Sequence, residues 1–339
     1  MQPVRVGILG CGFVGRLHAQ RLAADARVVL SVFCDPDRQG ATRLRDEFAS
    51  QAAVETDASA ALESHPLDGV VICSPTPLHH AQVCRAFDRG LHVLCEKPLA
   101  STRTQIEDLL ARARLSDRVF SVSLQRRYLA PYQTARRELQ ERAEQYGALR
   151  QVHVFVCERW HQTIHGTWRD DPQVGAGYFG DAGSHQIDAV FYITGRQAER
   201  VLAVSDRRGS RVEIATRVLA RLTGGVDLSA DFVGDAHHMR EDIHFHCEHG
   251  DLLLRNQQVF YARQNQCDAI TDLLPGTTPD HAFIDAIVAY QPGNCPLTLS
   301  PASCALPLFD WTAAVLRSVG GRLSAEDVAH WTTVTGEKN

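Results

Sequence analysis

The sequence predicts an α/β protein of two domains: an N-terminal doubly wound parallel sheet, then an α+β domain with a large, mostly antiparallel open sheet. Three observations predict this. The first third alternates short β-branched runs with amphipathic stretches, as a parallel sheet covered on both faces requires. After about Arg126 the strands lengthen, alternate polar with apolar residues and follow one another with few helices between them, as half-buried antiparallel strands do. At 339 residues the chain exceeds the roughly 250 residues at which single cores stop growing. The boundary is expected at residues 1–125 and 126–339, with the late helices free to pack back on the first domain.

The elements follow in order. Strands are expected at Val4 to Leu9, Val28 to Cys34, Gly69 to Cys73, His92 to Cys95 and Val119 to Leu124. Helical patterns lie between them at Phe13 to Ala24, Pro36 to Ser50, Leu78 to Arg89 and Thr102 to Leu115, closed by punctuation such as Gly90. In the second half Val212, Ile214, Val218 and Leu222 fall on even positions, as do Leu228, Ala230 and Phe232, the spacing of strands with one buried face. Thr278-Pro279 opens a late helix through Phe283, Ile284, Ile287 and Val288, and Leu306 to Val319 forms another.

Composition narrows the function. The formal net charge of −5 gives no clustered positive surface for nucleic acid or an anionic membrane. No apolar run approaches the roughly 18 residues of a bilayer span, and a strand begins almost at once, so a cytoplasmic protein is expected. The ten cysteines are scattered without C-x-x-C pairs, which reads as reduced thiols. Lysine occurs only at Lys97 and Lys338.

Directly after the first strand, Gly10-Cys11-Gly12-Phe13-Val14-Gly15 leads into a helix. In that context G-x-G-x-x-G is the fingerprint of a Rossmann dinucleotide site: a tight turn, a backbone that approaches the pyrophosphate, and close helix–strand packing. Unpaired N–H groups at the helix N-terminus meet the phosphate charge. Asp35 ends the second strand about 20 residues on, where a carboxylate binds the ribose hydroxyls of NAD and repels a 2′-phosphate. Asp35 therefore favours NAD over NADP, against Arg38 nearby, whose guanidinium can pair with that phosphate. Asp35 also suits the N-cap of a helix starting at Pro36, which does not exclude ribose binding.

Further segments are Ser74-Pro75-Thr76-Pro77-Leu78-His79, Glu96-Lys97-Pro98, Gln125-Arg126-Arg127-Tyr128, and Gly175-Ala176-Gly177 leading to Asp181, Gly183, His185 and Asp188. Together with the glycine motif and His18, their order and spacing resemble the glucose-fructose oxidoreductase and myo-inositol dehydrogenase family, Gfo/Idh/MocA, over nearly the whole chain. Thr76 stands where that family often has asparagine, and Ala176 where glycine is common. The resemblance implies that Ser74, Pro75, Thr76, His79, Glu96 and Lys97 lie along the cofactor, and that Lys97, Asp181 and His185 line the reaction site.

Oxidising a secondary alcohol removes a hydride and a weakly acidic proton. A neutral imidazole, of ordinary pKa near ~6.5, accepts that proton close to neutral pH, which makes His185 the expected general base. Lys97 is expected to hold positive charge beside the developing alkoxide, and Asp181 to position a hydroxyl or steady the imidazole. Asp181 also suits an acidic first helical turn, and His185 a satisfied buried histidine. Arg127, Tyr128, Trp160, Trp168 and Arg169 offer the aromatic faces and multiple donors that suit a polyhydroxylated small molecule, and they suit a core as well.

His244-x-His246 with His249, and His161 with His165, have ligand spacing, but neither carries a thiolate or carboxylate partner in a known pattern, so no metal is expected. Two other functions fit the same features: a glycosidase that uses bound NAD transiently, and a nicotinamide-binding regulator without catalysis, which would not need Lys97, Asp181 and His185. The second sheet, with one apolar face and few covering helices, is expected to pack against another copy in a homodimer or homotetramer.

Overall fold

The computed structural model describes residues 2–172, 177–318 and 332–333; for Trp168, Ser318, Thr332 and Thr333 it describes the backbone alone. The chain divides into two compact units, Met1–Gln125 with Thr277–Leu306, and Arg126–Gly276 with Pro307–Asn339.

Unit 1 is built on six parallel strands, β1 (Val4–Leu9), β2 (Val28–Cys34), β3 (Ala53–Glu55), β4 (Gly69–Ile72), β5 (His92–Cys95) and β6 (Phe120–Val122). Their order is β3-β2-β1-β4-β5-β6, so the winding reverses between β1 and β4, the place where open α/β sheets bind ligands. The strands are buried on both faces, which is why they read as continuous apolar runs. Helices α1 (Phe13–Ala23), α2 (Arg38–Phe48), α3 (Ala58–Glu63), α4 (Thr76–Asp88) and α5 (Arg103–Ser116) connect them.

The late helix returns to this unit: Phe283 and Ile284 join the core of Val6, Ile8, Phe33, Val71 and Leu94. Two helix starts differ from expectation. The second helix begins at Arg38, capped by Asp37, whose carboxylate accepts the Gln39 N–H at 3.0 Å; Asp35 is therefore not its N-cap. The fourth begins at Thr76, two residues before the expected Leu78, because Pro77 is tolerated in a first turn where its N–H would be unpaired.

Unit 2 carries helices α6 (Ala130–Glu141), α7 (Ala143–Tyr146), α8 (Trp160–Ile164) and α9 (Ser184–Thr194). Its strands are β7 (Leu149–Cys157), β8 (Ala198–Asp206), β9 (Ala215–Leu222), β10 (Val226–Val233), β11 (Arg240–Cys247), β12 (Asp251–Arg255), β13 (Gln258–Arg263), β14 (Gln266–Ala269) and β15 (Thr332–Thr333). The order is β14-β13-β12-β11-β7-β10-β9-β8-β15, antiparallel throughout except that β10 pairs parallel with β7. Helix α10 (Pro279–Ala289), capped by Thr278, belongs to unit 1, while most of α11 (Ala305–Ser318) belongs to unit 2.

The alternation in β9 and β10 is as expected, with Val218, Ala220 and Leu222 buried on the same face as Leu228, Ala230 and Phe232, while Val212 and Ile214 precede β9. The apolar face is covered. Helix α6 packs on β12 and β13, and Phe179 meets Phe232 of β10 at 5.1 Å. The opposite face is charged and paired, with Arg217–Asp231, Arg221–Asp227 and Arg240–Asp242 along it, so the expected apolar face in need of cover is not the exposed one. All ten cysteines are free thiols. Among the described residues no helix is long and apolar enough to cross a membrane.

Candidate active site

In unit 1 the glycine turn has the geometry that a dinucleotide needs. Gly10 has φ +94°, and a Cβ there would lie 2.6 Å from the Cys73 and Ser74 backbone. At Gly15 a Cβ would stand 1.9 Å from the Gly10 carbonyl oxygen, so only glycine lets α1 pack this close. Gly12 faces open space, and Phe13 beside it is 78% exposed. No side chain caps the N-terminus of α1, and its first turn holds no acid. Its N–H groups and dipole are left for an anion. Val14 is half-buried in the same turn.

Asp35 follows β2. Its Oδ2 accepts the Cys11 N–H at 2.7 Å and its Oδ1 the Asp37 N–H at 2.9 Å. Both oxygens are held in place and each keeps a lone pair for a ribose hydroxyl. Arg38 is exposed on the first turn of α2.

On the β4 side, the Ser74 hydroxyl donates to Gln82 at 2.5 Å, Pro75 is exposed and Thr76 half-buried. His79 is 1% exposed, and its ring nitrogens face the carbonyls of Ser74 at 2.7 Å and Pro98 at 2.9 Å. It braces the loop after β4 against the loop after β5, with both nitrogens turned to backbone carbonyls. Burial lowers its pKa, against the pull of the Ser74 and Pro98 carbonyls.

Glu96 is likewise internal. Its Oε1 lies 3.0 Å from His18 Nε2, and its Oε2 accepts the Lys97 N–H at 3.1 Å. The other nitrogen of His18 meets Asp280 of α10 at 2.5 Å. Burial opposes charge on His18, yet its acidic neighbours Cys73 and Asp280 raise its pKa well above the ordinary value. Burial opposes charge on Glu96 too, and the His18 bond and charge win, lowering it to about 2. A buried carboxylate–imidazolium–carboxylate chain thus runs from α10 through α1 to the backbone of Lys97. The Lys97–Pro98 peptide bond is cis, and Lys97 itself is half-buried.

In unit 2, Asp181 lies on a π-helical turn, Phe179–Gly183, that runs into α9; such wide turns often mark functional sites. Its Oδ2 accepts Arg169 Nε at 3.0 Å and Trp160 Nε1 at 3.4 Å. His185 is the second residue of α9 and half-buried. Trp160 is 7% exposed and Tyr128 1%. Arg127 is bound to Asp188, with Nε at 3.0 Å and Nη2 at 2.6 Å, and stacks on Tyr192 at 5.1 Å. Burial pushes Asp188 up and Arg127 pulls it back. The guanidinium is committed to the helix that carries His185. Gly175, Ala176 and the Trp168 side chain lie outside the described residues.

Two acids escaped the sequence patterns. Glu241, 2% exposed on β11, gathers Arg126, Tyr132 and, at 2.8 Å, Gln186 of α9. Glu158 follows β7; burial raises its pKa, and the charges of Asp181 and Glu241 add to this against the Tyr178 hydroxyl and Arg126. A lone acid at a strand end carries no spacing signal, so only the fold could find them.

A doubly wound sheet whose first turn demands glycine, whose first helix is uncapped and whose second strand ends in a fixed carboxylate defines an NAD(P)-binding protein. The chain belongs to the Gfo/Idh/MocA oxidoreductase family: residues 4–124 match its NAD-binding Rossmann fold and residues 132–253 its C-terminal domain. It is similar to D-glucoside 3-dehydrogenase of Escherichia coli K12, at 28% identity over 57% of this chain and 54% of that one. It is also similar to inositol 2-dehydrogenase of Acidothermus cellulolyticus, at 28% identity over 77% and 76%. The chain thus spans between about half and three quarters of these curated relatives. The oxidoreductase domain protein from Kribbella flavida shares the fold, with a TM-score of 0.81, 21% identity, and 98% and 100% coverage.

Proposed function

We propose that the protein is an NAD-dependent dehydrogenase or reductase that moves a hydride between the nicotinamide and a secondary hydroxyl carbon of a sugar, an inositol or a derivative of one. The observation that carries this reading is the cluster of Asp181 with Arg169 and Trp160 at the start of the His185 helix. A carboxylate already fixed by a guanidinium and an indole N–H accepts a substrate hydroxyl without reorganising. The names of the two dehydrogenase relatives support the class of substrate. The turn at Gly10, Gly12 and Gly15 would hold the pyrophosphate, and Asp35 the adenosine ribose, which favours NAD over NADP.

The nicotinamide, when bound, supplies the hydride acceptor. His185 takes the hydroxyl proton during oxidation and returns it during reduction, while Lys97 holds positive charge beside the oxygen. Arg127 acts through Asp188 as a positioning residue for the His185 helix. Lys97→Ala and His185→Ala are expected to bind NADH normally by fluorescence titration and to lose at least ~100-fold in turnover. Assays use a panel of sugars, inositols and sugar acids with NAD and NADP. Turnover like wild type in either variant overturns the roles assigned, and reaction with no panel member overturns the substrate class. Assembly as a homodimer or homotetramer belongs to the same proposal, and a monomer at micromolar concentration by light scattering refutes it.

A further inference from the structure

The expectation of no metal rested on the lack of a carboxylate beside His244 and His246. The fold supplies one. The two histidines stand two residues apart on β11 and project from the same, less buried face of the sheet. Their rings lie 3.8 Å apart between centroids and 34° from parallel. Asp251, the first residue of β12, brings Oδ2 to 3.2 Å from His244 Nε2 and 3.3 Å from His246 Nδ1. Its other oxygen accepts the Cys247 N–H at 3.2 Å, which fixes the rotation of the carboxylate. His249, the partner that sequence spacing offered, is not part of the cluster.

We propose that His244, His246 and Asp251 form a binding site for one divalent transition-metal ion of the zinc class, which clips the β11–β12 turn. Tetrahedral bonds of about 2.0–2.1 Å place neighbouring donor atoms about 3.3–3.4 Å apart, and the carboxylate already stands at that separation from both imidazoles. The third pair of donors lies within 4.8 Å, so a small turn of one ring closes the triangle. Two nitrogens and one oxygen suit zinc, cobalt, nickel or copper better than magnesium or calcium.

Without an ion the cluster is poorly matched. One carboxylate oxygen faces two stacked imidazoles, and charging both would set like charges against each other. The charged groups around the cluster are already placed: Arg240 and Arg255 both pair with Asp242. His153, the residue opposite His244 on β7, is bonded to Ser229 at 2.9 Å. His244 also lines a groove of about 310 Å³ with His153, Phe155, Arg240 and Asp242.

The rival cluster, His80, Cys84 and Asp108 in unit 1, is less suited. Asp108 Oδ2 is shared between His80 at 2.8 Å and Arg112 at 2.9 Å, and the sulfur stands 3.9 Å away.

The test uses the full chain, stripped with a chelator and dialysed, titrated with ZnCl2 in a calorimeter, with bound metal counted by mass spectrometry. One zinc per chain is expected. Asp251→Asn and His244→Ala are each expected to weaken it at least ~100-fold, while Cys84→Ser leaves it unchanged. Circular dichroism melts of the metal-free variants check folding, and His246→Gln serves if either variant is unfolded. No saturable binding, equal affinity in the folded variants, or loss in Cys84→Ser would overturn the site.

Discussion

Replacing Glu96 by glutamine keeps the shape of the side chain and removes its charge from the chain Asp280–His18–Glu96. The pKa of Glu96 falls from 4.5 to about 2 in the fold because the His18 bond and charge outweigh the burial of the group. At 1.36 kcal/mol per unit, that depression amounts to about 3 kcal/mol of stability at pH 7. A group only 7% exposed needs no discount for solvent screening. The same size is expected from the ~3–5 kcal/mol cost of removing one partner from a buried pair.

The folded-state pKa is depressed, so the contribution is complete above the unfolded value of 4.5 and disappears as pH falls toward 2. Glu96→Gln is therefore expected to be about 3 kcal/mol less stable than wild type at pH 7, with the gap smaller by about 2 kcal/mol at pH 3. Tryptophan fluorescence is a poor probe, since Trp160, Trp168, Trp311 and Trp331 all fall in the sequence ranges of unit 2. Hydrogen exchange of peptides covering α1 and α10 along a urea series reads the right unit. A gap below about 1 kcal/mol at pH 7, or one that stays constant down to pH 3, refutes the charge chain.

Two further outcomes follow from the geometry. Gly15→Ala sets a methyl 1.9 Å from a backbone oxygen that has no rotamer to escape into; it is expected to cost about 2 kcal/mol or more by thermal unfolding and at least ~10-fold in NADH affinity. Asp188→Asn leaves the Arg127 guanidinium buried without its anion, at a cost of about 3–5 kcal/mol in denaturant melts, and Arg127→Met with Asp188→Leu recovers most of it.

The first sheet was legible because parallel strands are buried on both faces and therefore spell out apolar runs; β1, β2 and β5 start and stop where their residues indicate. Strand β3 and helix α3 were not legible. Three residues of half-buried strand and a helix of six are shorter than the window in which a period can be counted. The glycine turn and Asp35 carry their chemistry in consecutive residues, so spacing found them. His79 and Arg127 were found as well, but spacing cannot say which way a side chain turns. His79 is spent on two carbonyls and Arg127 on Asp188. The contact of His18 with Asp280, and that of His246 with Asp251, depend on which elements become neighbours.

Unit 1 is assembled from two stretches far apart in the chain, and the bond from His18 to Asp280 spans 262 residues. During synthesis the ribosome must therefore deliver the chain through α10 before that helix can reach the sheet and pair Asp280 with His18. Until then the nascent nucleotide-binding half lacks Phe283 and Ile284 from its core. A fragment ending at residue 125 is a precursor that waits, with an exposed apolar seam, for a helix translated long after it.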